Sequence, residues 1–145
     1  MLQGWYYLHE NGDLIYKRDL DGTAADIRES PFARALWPFD PEEREGAWAI
    51  LIEASALGVN RSRVQELAVK WGCTDEDAQV YGNRVGVIFT LDGDQHTATR
   101  TDFEDLQESP CGFGNTRLEA MADLCRQLGY KGGKMWNASF KDLLK

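Results

Sequence analysis

Residues Val87–Leu128 read VIFTLDGDQHTATRTDFEDLQESPCGFGNTRLEAMADLCRQL, and the period of their apolar residues changes partway along. Val87, Phe89 and Leu91 alternate, which places them on one face of a strand. Asp92-Gly93-Asp94 supplies a turn, and Gln95–Arg100 can return as a polar partner strand. A third strand is expected over Phe103–Gln107. Ser109 to Gly114 then reads as a loop into a helix, because Thr116 and Glu119 have the spacing of a capping box. Leu118, Met121, Leu124, Cys125 and Leu128 follow on one helical face, and Gly129 ends it. A hairpin, a third strand and a helix laid on them predict an α+β fold.

Upstream, Gly4–Arg18 reads GWYYLHENGDLIYKR, two β-rich runs around Asn11-Gly12, a pair suited to a type I′ hairpin turn. Ser30-Pro31 looks like a helix start, with a short helix over Phe32–Leu36 that Pro38 ends. Asp40-Pro41-Glu42-Glu43 repeats that pattern and predicts a helix from Pro41 to Leu57, stopped by Gly58. Asn60 caps a second helix carrying Val64, Leu67, Ala68 and Trp71 before Gly72, and Thr74 caps a third carrying Ala78, Tyr81 and Val85. Trp136, Phe140, Leu143 and Leu144 predict a last short helix. The whole reads as a single domain over 1–145: a hairpin and connector at 1–36, a helical region at 37–85 and an αβ region at 86–145. The sequence leaves open whether the hairpins share a sheet, and what the oligomeric state is.

The 145 residues are 43% hydrophobic, enough to fill a core. Lys and Arg number 16 against 24 Asp and Glu, and the net charge of -8 opposes contact with a phosphate backbone. Direct nucleic-acid binding is therefore disfavoured. The longest apolar stretch, Ala47–Leu57, is interrupted by Glu53 and too short to span a bilayer. With no secretory-signal pattern at the start, a cytoplasmic location in a host cell is expected. Cys73, Cys111 and Cys125 have no CxxC spacing, so neither a disulfide framework, a zinc module nor any other cofactor is expected.

Val64–Val85 resembles a helix-turn-helix, but its second helix begins Thr74-Asp75-Glu76-Asp77, carboxylates that DNA would repel. Acidic side chains are concentrated in this part of the chain: residues 37–85 carry 5 basic and 9 acidic ones. Asp75, Glu76 and Asp77, with Glu42 and Glu43, are the candidate partner-binding residues, although the same carboxylates also suit helix N-termini. No catalytic residue is expected. His9 beside Glu10 and Asp13 sits at a hairpin end, His96 falls in a polar strand, and Cys111, the best candidate thiol, lacks a histidine partner. Gly112-x-Gly114 lacks the lysine and spacing of a P-loop, so a turn is favoured over a phosphate cradle.

Gly4–Leu14 resembles one aromatic hairpin of choline-binding repeats. Those cages form between successive copies, so Trp5, Tyr6 and Tyr7 read as cross-strand packing partners. Asp105-Leu106, Gly114-Asn115-Thr116, Glu119-Ala120 and Leu124 resemble the sheet-to-helix passage of HicB-like antitoxin domains. The stretch DLQESPCGFG over Asp105–Gly114 is similar to one in small accessory proteins of tailed bacteriophages and prophages. These resemblances imply a non-enzymatic phage or prophage accessory protein. The acidic middle of the chain adds the expectation that it binds a host protein and inhibits a nucleic-acid-handling defence or regulatory complex through that surface. The alternative the resemblances imply is a HicB-like antitoxin-type regulator that neutralises a small toxin. A third class is an enzyme with a site around Cys111, Gly112 and Gly114.

Overall fold

Trp5, Tyr6, Tyr7 and Leu8 lie in β1 (Gly4–His9), which pairs antiparallel with β2 (Leu14–Arg18). The computed structural model describes residues 3–101, 109–133 and 139–144. Within them the chain is α+β, with six helices and two separate three-stranded antiparallel sheets. The first hairpin turn is longer than the expected type I′. The His9 amide donates to the Asp13 carbonyl at 2.8 Å and the Gly12 amide to the His9 carbonyl at 2.9 Å, with Gly12 at φ 96°. This is a three-residue loop closed by a left-handed glycine.

The helix expected over Phe32–Leu36 is a strand. β3 (Ala33–Phe39) pairs with the free side of β1, giving the order β2-β1-β3. The helix in this region comes earlier, as α1 (Thr23–Glu29), and Ser30 ends it instead of starting one. Pro38 is tolerated because β3 is an edge strand. The Leu36 amide donates outward to the Gly133 carbonyl at 3.0 Å, so Pro38, two residues on, also turns its nitrogen away from β1.

α2 (Arg44–Ala56) begins at Arg44 instead of Pro41. Asp40 to Glu43 form a turn in which the Glu43 amide donates to the Asp40 carbonyl and the Glu42 amide to Asp40 Oδ1, each at 2.9 Å. α3 (Arg61–Lys70) is capped by Asn60, whose side chain accepts from the Ser62 amide at 2.8 Å. α4 (Asp75–Val85) is capped by Thr74, with Asp77 completing a capping box.

β4 (Val87–Asp92) and β5 (Gln95–Arg100) form the expected second hairpin. The third strand expected over Phe103–Gln107 falls outside the described residues. The strand that pairs with β5 is β6 (Cys111–Gly114), read from sequence as a loop. Its glycines are there for close approach. A Cβ at Gly112 would collide with the Ala120 carbonyl and one at Gly114 with Glu119, both on α5 (Arg117–Gln127). α6 (Phe140–Leu143) is the last short helix, and Trp136 lies outside the described residues.

The larger core draws Leu8 and Trp37 from the first sheet, Ile52 and Leu67 from α2 and α3, and Ala98 and Leu124 from the second sheet and its helix. The opposite face of the first sheet carries a smaller cluster, where Trp5 and Leu36 pack with Ile27 of α1.

Candidate functional site

The Arg44 guanidinium links the two segments that carry the candidate acidic residues. It donates to the Trp71 carbonyl at 2.8 Å and the Gly72 carbonyl at 3.2 Å, so the start of α2 is clamped to the α3–α4 turn. Glu42 and Glu43 lie just before this clamp in the chain on one side, and Asp75, Glu76 and Asp77 follow it on the other. The five carboxylates are not equivalent. Asp75 Oδ1 accepts from the Arg117 amide and Oδ2 from Arg117 Nη1, both at 3.0 Å, so it ties α4 to the first turn of α5. Asp77 Oδ2 accepts from the Thr74 amide within the capping box. Glu42, Glu43 and Glu76 are exposed, and their side chains make no hydrogen bond or ion pair among the described residues.

Arg44 was missed in the sequence reading. An arginine following consecutive glutamates reads as a solvated side chain, and nothing local announces a carbonyl 27 residues away. Val64–Val85 does fold as two helices around Gly72, which takes φ 67°. Its acidic second helix is engaged with α5 through Asp75.

A cleft of about 580 Å³ opens between α3 and the β6–α5 junction. Val64, Ala68 and Val69 line one side, Phe113 and Leu118 the other, and Val69 is 82% exposed. Arg61 and Glu119 close its rim with an ion pair of 2.7 Å. Ligands of this size bind in such clefts when convergent polar groups fix their orientation. Here the polar groups at the rim are engaged with each other: Arg126 donates to the Ser55 carbonyl at 3.2 Å, and Glu119 Oε2 accepts from the Asn115 amide at 2.9 Å.

The other sequence candidates have structural places. Cys111 is buried in β6, and burial pushes its thiol above the ordinary range, the opposite of what a nucleophile needs. Gly112 and Gly114 face α5, so the pair builds a packing contact where a loop was expected. His9 stacks on Phe32 at 5.9 Å and its Nδ1 accepts from the Asn11 amide at 3.2 Å. Tyr6 packs on Phe39 and Trp71 at 5.1 and 5.3 Å. Among the described residues, no group of three His, Cys, Asp or Glu side chains is placed to hold a metal ion.

Glu53 is the second residue that sequence reading passed over. It is 1% exposed, in the middle of α2, with the Tyr130 hydroxyl, the Phe140 amide and the Trp37 indole as hydrogen-bond donors to its carboxyl. Its Oε2 has no hydrogen-bond partner among the described residues. Burial pushes its pKa up to about 7, against the opposing pull of those donors. The signal was present as the one charge inside the apolar run Ala47–Leu57. No family model, curated protein or solved structure matches the chain.

Proposed function

We propose that the chain is a non-catalytic phage or prophage accessory protein that binds a host protein in the host cytoplasm. Its acidic end would enter a positively charged site of a nucleic-acid-handling defence or regulatory complex. The observation that carries this reading is the Arg44 clamp, which fastens the start of α2, just after Glu42 and Glu43, to the turn that precedes Asp75, Glu76 and Asp77. Complementary fields of this kind raise association rates and make binding sensitive to salt. No helix among the described residues is long and apolar enough to cross a membrane.

The structure also identifies which carboxylates give a clean test. Asp75 and Asp77 hold helix ends, so reversing them would confound folding with binding. Glu42→Lys, Glu43→Lys and Glu76→Lys together leave those contacts intact. A tagged pull-down from nuclease-treated bacterial lysate at low and high salt should retain a stoichiometric partner at low salt, and the triple variant should lose it. Retention of that partner with unchanged affinity would overturn the acidic-end reading.

A second reading, a HicB-like antitoxin-type regulator, is supported by the order of hairpin, strand and helix over Val87–Gln127. Co-expression with a toxin encoded by an adjacent gene should then restore growth, and failure to restore it counts against this reading.

A further inference from the structure

The buried carboxyl of Glu53 is enclosed by three other segments of the chain, and each gives it a donor: β3 the Trp37 indole, the residues after α5 the Tyr130 hydroxyl, and α6 the Phe140 amide. The three walls are fastened differently. β3 is bound along its length to β1, and the Tyr130 amide donates back to the Cys125 carbonyl of α5 at 3.2 Å. α6 is four residues long. It is seated on α2 by the Phe140 side chain, which is 1% exposed, by the Phe140 amide on Glu53, and by Lys141 Nζ, which donates to Glu45 Oε2 at 3.0 Å.

We propose that α6 is a latch on α2 worked by one proton: it sits closed over protonated Glu53, and ionisation of Glu53 favours its release while the two sheets and α5 stay folded. The orphaned oxygen gives the driving force. Glu53 Oε2 has no hydrogen-bond partner among the described residues. A neutral carboxyl there lacks one hydrogen bond, whereas a carboxylate lacks it while carrying charge, at a far larger cost. Water can supply the missing partners once a wall opens, and α6 is the wall with the least holding it.

The groups that face Glu53 act in the same direction. Burial keeps Tyr81 of α4, Cys125 of α5 and Tyr130 neutral, so none of them offers a positive charge. Asp142 is carried by α6 itself and acts against the ionised form of Glu53. Charging Glu53 therefore sets α2 and α6 against each other. The pair of Lys141 and Glu45 holds α6 down, but it does not supply the switch. Glu45 is held below its ordinary range, first by its hydrogen bond from Lys141, and so keeps its charge while Glu53 titrates. The latch is independent of the acidic-end reading, which rests on Glu42, Glu43 and Glu76.

Native-state amide exchange of the full chain tests the latch, read by NMR from about pH 4.5 to about pH 9 with each rate corrected for its intrinsic pH dependence. Protection of the Phe140 amide should fall about tenfold per pH unit from 4.5 to about 7, roughly 300-fold in all, and level off above. Low urea should leave this exchange unchanged, as a local opening requires, while the Leu124 amide inside α5 should exchange by urea-sensitive global unfolding. In Glu53→Gln the Phe140 protection should be flat across the range. In the wild type, with no substitution at all, the Glu53 side-chain carbonyl resonance should titrate at the pH where Phe140 protection levels off. Phe140 protection that does not change with pH, or that follows Leu124 in its response to urea, overturns the proposal. So does a pH dependence that survives in Glu53→Gln, or a Glu53 resonance that titrates away from the plateau.

Discussion

In the first sheet the Tyr6 ring stands 5.1 Å from Phe39 and 5.3 Å from Trp71, so aromatic side chains fill the space between strands and helices. In the second sheet Gly112 and Gly114 leave almost no space: the backbone of β6 lies directly against α5, and Gly82 of α4 lies against the Phe89 ring. One sheet is held off its helices by rings, and the other meets them through missing side chains. The two should therefore fail in opposite ways. The first is sensitive to atoms removed and the second to atoms added.

The largest effect is expected at Gly112. The Cβ of Gly112→Val would meet the Ala120 carbonyl and the Leu124 amide, which are backbone and cannot rotate away. The variant should lose more than about 4 kcal/mol in chemical denaturation, or fail to fold. A wild-type-like midpoint would erase the contrast between the sheets. Next comes Leu8→Ala in the first sheet, fully buried, with an expected loss of about 2–5 kcal/mol. Leu124→Ala, on the helix over the second sheet, belongs to the same range and tests whether deletion matters equally on both sides.

Glu53 sharpens the comparison because it hangs from α2 between Trp37 of the first sheet and Tyr130 beyond α5. Tyr81, Cys125 and Asp142 also act electrostatically on this site. The folded protein holds the Glu53 proton up to about pH 7, whereas the unfolded chain releases it near 4.5. Its contribution is fully present below pH 4.5 and is lost as pH rises through 7, by about 3 kcal/mol at 1.36 kcal/mol per unit. Glu53→Gln should flatten that part of the stability profile, as read by melting at a series of pH values. Glu45, held below its ordinary range first by its hydrogen bond from Lys141, acts with the opposite sign and loses its contribution as pH falls. The smallest effect is Thr116→Ala, which removes the oxygen that accepts from the Glu119 amide and should cost about 1 kcal/mol.

What was legible in the sequence was local. Asn60, Thr74 and Thr116 cap the helices they were expected to cap, because a cap needs only a neighbour two or three residues away. Both hairpins were legible for the same reason. β3 was not, since Ser30-Pro31 carries a helix-start pattern and only pairing with β1, far back in the chain, makes Ala33–Phe39 extended. β6 was not, since CGFG is only four residues long and half glycine, and its glycines make sense only with α5 lying on them. For the candidate site the residue types were legible but their states were not. Asp75 and Glu76 are adjacent in sequence, yet one is bound to Arg117 and the other is exposed.

The contact between Asp75 and the Arg117 amide spans 42 residues and joins the starts of two helices. The first N–H groups of a helix have no partner within their own helix. Among the described residues, protection of the Arg117 amide against solvent exchange therefore comes from α4 being docked. That single proton is a timer for tertiary assembly, separable from the helix-internal amides of α5. In a refolding pulse-label experiment it should become protected after them, and in the native state it should exchange with the opening of α4 from α5.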